Sequence, residues 1–207
     1  MKETVYTIGY TGFTLDEFVQ ELKRHSINVV IDVRSSPYSE RYADYNRDNL
    51  ESVLVANKIY YRNYIKEFGA RQDNRSFYSK EGHLDFEVFA KSEQFLSGVE
   101  KIKNSVAKGF NVVFLCAEKE PVQCHRTILV ARAFHELGYN VVHLKPNNVA
   151  INHSEIETQL LNMYFPRRYQ IDMFSTNVKT DEEYLIDAYR MQNKKIGYKI
   201  EEGEEEW

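Results

Sequence analysis

The chain reads as an α/β protein, a three-layer αβα sandwich around a mainly parallel five-stranded sheet, Rossmann-like in plan, with a C-terminal arm. Three observations predict this. Strand and helix patterns alternate from the first residues. Three strands are apolar on consecutive positions, as strands covered on both faces must be. Capping and glycine signals separate the elements.

VYTIGY (5–10) is apolar and β-branched, and the TG after it breaks the strand. Thr14 with Glu17 forms a capping box, opening a helix whose Leu15, Phe18, Val19 and Leu22 recur at helical spacing. NVVIDVR (28–34) is the second strand. Residues 35–48 are polar and tyrosine-rich and read as a loop, followed by a helix in 47–57 and a short strand at IYYR (59–62). Residues 63–82 read as a second long loop, and loops of that length inside a domain are more often functional than decorative. Helical periodicity returns in 84–107, and GFNVVFLCAE (109–118) is the third strongly apolar strand. KEPVQ leads into a helix from Cys124 to Leu137, which Gly138 stops. YNVVHL (139–144) is the last strand, and a helix over 153–164 closes a core domain of residues 1–164. Residues 165–207 form the arm, with a helix near 181–195 and an acidic tail at 201–207, too short to bury a core of their own.

The 207 residues carry 27 Lys and Arg against 31 Asp and Glu, a net charge of −4. The final EEGEEEW supplies five of those glutamates; without it 27 basic residues face 26 acidic ones. No whole-protein field attracts or repels nucleic acid, so any basic footprint is local. Four prolines, nine glycines and two cysteines exclude collagen-like, disordered and disulfide-rich classes. MKETVYTIGY lacks the basic start and apolar core of a signal peptide, and no apolar run is long enough to span a membrane. A cytoplasmic protein with reduced thiols is expected.

In open parallel sheets, ligands bind beyond the carboxyl ends of the strands. Here those ends read TIGYTG, IDVRSSP and CAEKEPVQCHR. The last is the most informative: Cys116 and Glu118 end a strand, while Cys124, His125 and Arg126 open a helix. Taken singly, each has an ordinary structural use. Five such residues within eleven positions at a strand's carboxyl end point to a site. Either Cys116 or Cys124 is the candidate nucleophile, His125 or Glu118 the acid/base, and Arg126 with Arg34 the anion clamps. The spacing C-x7-C-H fits no usual zinc pattern and shows no fourth ligand, so no metal is expected. No cofactor is read.

Gly9, Tyr10, Thr11 and Gly12 offer a glycine turn that lets a ligand approach the main chain, and Asp32, Arg34 and Pro37 complete the expected ligand-binding edge. Asp32 either pairs with Arg34, orients a base or holds a ribose hydroxyl. A strand order of 3-2-1-4-5 places the TIGYTG and CAEKEPVQCHR loops side by side. Between Arg34 and Lys80, nine basic residues interleave with seven of the fifteen tyrosines. Such loops either stack nucleobases or pack over a sheet edge. His25, His83, His135, His143 and His153 show no partner and read as structural or surface residues.

TIGYTG, IDVRSSP, EFGAR (67–71), CAEKEPVQCHR and DEEYLIDAYRMQNKKIGY (181–198), in that order, resemble the family known as domain of unknown function 488. The resemblance singles out Gly9, Asp32, Arg34, Pro37, Cys116, Glu118, Pro121, Cys124, His125 and Arg126, and implies no particular reaction. The expectation is therefore a site for an anionic ligand, of nucleotide or nucleic-acid type, with Cys/His chemistry available. Its rivals are a non-catalytic nucleic-acid binder using the tyrosine/arginine loops with Arg167 and Arg168, and a thiol redox pair.

Overall fold

The computed structural model describes residues 2–169 and 179–200; the acidic tail expected at 201–207 lies outside them. Its apolar runs form the middle of one sheet. β1 (Thr4–Gly9) and β2 (Val29–Asp32) flank β4 (Val112–Cys116) in parallel. β3 (Tyr60–Asn63) lies outside β2 and β5 (Asn140–Lys145) outside β1, both parallel as well. β6 (Val149–Asn152) then adds an antiparallel edge.

The resulting order, β3-β2-β4-β1-β5-β6, departs from expectation twice. β4, not β1, neighbours β2. β4 is buried along its whole length and β1 at Val5 and from Thr7 to Gly9, so burial alone does not say which lies next to β2. The β1–β4 seam survives the exchange, with Gly9 opposite Cys116. The sixth strand follows a hairpin loop in which Asn147 and Asn148 both take left-handed backbone angles (φ 65° and 59°), a conformation asparagine tolerates.

α1 (Leu15–Arg24) and α2 (Arg47–Ala56) cover one face, laying Phe18, Leu22, Leu50 and Leu54 on Ile8, Val30, Val113 and Leu115. The Thr14–Glu17 capping box forms as its spacing predicts. After the short α3 (Ile65–Phe68) and α4 (Phe86–Phe89), α5 (Glu93–Ala107) starts at an Ser92 cap and crosses the other face. The helix expected from Cys124 spans Arg126–Glu136 instead, as a π-helical stretch (Arg126–Ala131) running into α6 (Arg132–Glu136). α7 (His153–Tyr164) and α8 (Asp181–Ile196) complete this layer. Gln192 donates to the Val122 carbonyl at 2.7 Å, and Asn193 bridges Leu84 and Phe86, fixing α8 to the loop before the π-helix. Among the described residues no helix is long and apolar enough to cross a membrane.

Two histidines read as lacking partners prove to be buried links in one chain. The Tyr189 hydroxyl contacts Glu157, whose carboxylate only accepts, so Tyr189 donates there at 3.3 Å. Working backward, His153 Nε2–H donates to Tyr189 (2.9 Å), His143 Nε2–H to His153 Nδ1 (3.0 Å), and the Thr7 hydroxyl to His143 Nδ1 (2.8 Å). Burial pushes both imidazoles down, His153 to about 3; each also faces a neighbouring histidine and an arginine, Arg126 for His143 and Arg132 for His153. An unfolded histidine titrates near ~6.5. Below that pH the unfolded chain takes up protons the folded chain refuses, so this stability is complete above it and declines as pH falls toward the folded values. Urea melts should lose about 2 kcal/mol in total between pH 7 and 5 for each fully neutral histidine, the slope approaching roughly 1.4 kcal/mol per pH unit only well below pH 6.5. The slope should flatten in His153→Gln; an unchanged slope there would refute the assignment.

Candidate active site at the carboxyl edge

Strand alternation decides which of the expected residues can meet. Gly9 and Cys116 are register partners and face the α5–α6 side with Val5 and Phe114. Asp32 is the partner of Leu115, one position out of phase with Cys116, and so faces the α1–α2 side with Tyr61. The expected constellation is split by the sheet.

On the α5–α6 side the cluster is tight. Cys116 and Cys124 are free thiols, 3% and 1% exposed. His125 Nδ1 lies 3.8 Å from Cys116 Sγ and 4.0 Å from Cys124 Sγ. Its Nε2 is 2.9 Å from the Val33 carbonyl oxygen. A carbonyl only accepts, so Nε2 carries the hydrogen and Nδ1 is the nitrogen turned to the sulfurs. The main chain just after β2 therefore orients this histidine, a role that spacing gave no means of finding. Cys124 Sγ also meets Glu118 Oε2 at 2.9 Å, and that carboxylate side chain is about half exposed.

The electrostatics favour moving a proton away from Cys124. Burial raises its thiol, yet the hydrogen bond from Cys116 and the Arg126 and His125 charges hold it well below the usual range. Burial and the nearby Cys124 push Cys116 well up. Burial and Cys124 likewise raise Glu118, while contact with Cys124 outweighs burial and raises His125.

Arg126 is fully buried. Nη1 donates to the Glu118 carbonyl at 2.6 Å and lies 4.0 Å from that residue's carboxylate. Nε and Nη2 have no hydrogen-bond partner among the described residues, nor has the buried hydroxyl of the next residue, Thr127. π-helical insertions of this kind often occur at functional sites.

The glycine turn is spent on this cluster. A Cβ on Gly9 would stand 1.8 Å from the Glu118 carbonyl oxygen and 3.0 Å from Arg126 Nη1, so Gly9 admits protein main chain where a ligand was expected. Tyr10 and Thr11 donate their N–H groups to the Cys116 and Ala117 carbonyls, both at 3.1 Å. Gly12, at φ +100°, lies beside Pro146 and Lys119.

On the opposite face Asp32 and Arg34 satisfy one another. The carboxylate accepts Arg34 Nε and Nη2 as well as the Tyr61 hydroxyl at 2.6 Å, while Arg34 Nη1 donates to the Tyr45 carbonyl at 2.8 Å. Arg34 thus has its carboxylate-binding edge filled, and the Asp32 carboxylate is taken up by Arg34 and Tyr61. Tyr10 stacks on Tyr45 with centroids 4.4 Å apart, under the Arg34 guanidinium. Pro37 is buried and its carbonyl accepts the Arg47 N–H at 3.0 Å. Of the seven loop tyrosines only Tyr38 and Tyr60 stay more than half exposed, at 54% and 53%, so packing accounts for most of them. In EFGAR, Phe68 is core and Arg71 lies over the Tyr198 ring.

Fold and cluster together define an α/β protein with a cysteine–histidine centre beside a buried arginine at the carboxyl edge of its sheet. The profile described as domain of unknown function DUF488 matches residues 14–133, and the chain belongs to that family. The match includes IDVRSSP, EFGAR and CAEKEPVQCHR; TIGYTG and the 181–198 stretch fall outside it. No curated protein and no solved structure matches the chain.

Proposed function

We propose that the protein binds a small anionic ligand, bearing a phosphate or carboxylate group, over the β4–β1 seam, and that Cys116, Cys124, His125 and Glu118 act on it there. Arg126 carries this reading. An enclosed guanidinium with unpaired donors costs several kcal/mol unless something answers it. Nε and Nη2 form one edge of the group, the same edge by which Arg34 holds the Asp32 carboxylate. At Arg126 that edge has no partner among the described residues, and an oxyanion meets it with two parallel hydrogen bonds. We place the way in past the half-exposed Glu118 side chain, whose carboxylate lies 4.0 Å from Nη1; it must swing aside because Arg126 itself is closed to solvent.

Inorganic phosphate is the simplest probe. Calorimetric titration of the whole chain should give a saturable single site, weakened at least ~10-fold in Arg126→Lys, since a point-charge ammonium cannot replace the bidentate edge. Circular dichroism would confirm that the variant folds. Absence of binding by the wild-type chain to phosphate, pyrophosphate and simple carboxylates alike would refute the proposal.

A further inference from the structure

We infer that Cys116, Cys124 and His125 hold a divalent cation of the zinc class, with its fourth position turned toward Glu118. The inference rests on the reading of this cluster as the working centre and names what the centre carries.

The ligand atoms of these three residues all lie within 4.8 Å of one another. Zinc bonds of about 2.3 Å to sulfur and about 2.0 Å to nitrogen, set tetrahedrally, place sulfur and nitrogen about 3.5 Å apart. The observed 3.8 and 4.0 Å are a few tenths longer, a gap that small side-chain rotations close. The arrangement escapes the usual spacing patterns because seven residues separate the two cysteines, where two to four are usual. Cys116 ends β4 and Cys124 with His125 leads into the π-helix, so the loop between them folds its two ends together.

Three further features fit a metal. The His125 Nε2–H···O=C bond to Val33 is the outer-shell contact that ordinarily fixes a ligating imidazole, leaving Nδ1 for the ion. Two sulfurs and an imidazole select a soft or borderline cation over Mg²⁺ or Ca²⁺, which take oxygen ligands. Charge also balances: two thiolates neutralise a divalent ion, and the Glu118 carboxylate that would add a negative charge has Arg126 Nη1 at 4.0 Å. Three protein ligands with the fourth place facing a half-exposed carboxylate is the open type of site, able to present bound water to a ligand clamped by Arg126.

The whole chain, purified without chelator, should contain about one zinc per molecule by mass spectrometry, and Cys116→Ser and Cys124→Ser should each lower retention at least ~10-fold. Because both cysteines are core residues, the wild-type chain supplies an independent reading. Stripped of metal and given Co²⁺, it should develop thiolate-to-cobalt charge-transfer bands and tetrahedral d–d bands. A folded wild-type chain that takes up neither Zn²⁺ nor Co²⁺ would overturn the inference. Phosphate titration separates the two proposals: phosphate bound by a chain that takes no metal overturns only the metal site, and metal bound without phosphate affinity overturns only the anion reading.

Discussion

Gly9→Ala should lower stability by about 1–3 kcal/mol and weaken phosphate binding together, because one added carbon strikes both the loop after β4 and the buried arginine. The position has no left-handed backbone angle, so alanine is not conformationally excluded; elsewhere such a change often stabilises slightly by restricting the unfolded chain. The expected sign comes from contact alone. The new Cβ would be 1.8 Å from the Glu118 carbonyl oxygen and 2.7 Å from its carbon, both main-chain atoms that no rotamer change can move aside. Relief requires β1 and the Glu118 turn to separate, stretching the Tyr10–Cys116 and Thr11–Ala117 hydrogen bonds and the Arg126–Glu118 bond that depends on the same carbonyl. For a chain of this size the melting temperature should fall by roughly 2–12 °C. A variant that melts like the wild type and binds phosphate equally well would show that the seam is looser than described.

Asp32→Ala should be the more damaging to the fold, at about 3–5 kcal/mol, because it strands a buried cation. Asp32 is fully buried and Arg34 is 3% exposed. The carboxylate accepts both Nε and Nη2 of Arg34, the Arg34 main-chain N–H and the Tyr61 hydroxyl, so alanine leaves several donors unanswered at once. Replacing the pair, as Asp32→Ala with Arg34→Met, should recover part of the loss, since the double variant buries no unpaired charge. Denaturant melts of the four proteins give the coupling directly. Strictly additive losses would mean that the two residues do not act as a unit. Because this pair lies on the α1–α2 face, any folded variant of it should retain zinc, in contrast to Cys116→Ser.

What could be read from the sequence follows from how local each signal is. The Thr14–Glu17 cap, the three apolar strands and the density of chemistry from Cys116 to Arg126 are visible in short windows; the cap and the strands form as expected, and Cys116, Cys124 and His125 come together. Strand alternation was also available in the sequence and would have placed Asp32 and Cys116 on opposite faces, but only once β2 and β4 were known to be neighbours. That adjacency depends on which of β1 and β4, both interior strands, lies next to β2. The loop tyrosines left nucleobase stacking and packing over a sheet edge both open, because a ring such as Tyr45 that stacks on Tyr10 looks in sequence the same as one that stacks on a base. Gly9 was read as room for a ligand, and the occupant is the Glu118 carbonyl. The orientation of His125 by the Val33 main chain, and the unpaired edge of Arg126, depend on long-range neighbours and have no local signature.

The anion site turns on what answers Arg126. A crystal structure of the protein soaked in phosphate is the direct measurement. The account predicts an oxyanion with two oxygens about 2.7–2.9 Å from Nε and Nη2, and the Glu118 side chain displaced from its contact with Cys124. Phosphate confined to surface lysines, with Nε and Nη2 paired to an ordered water sealed inside the protein, would contradict it.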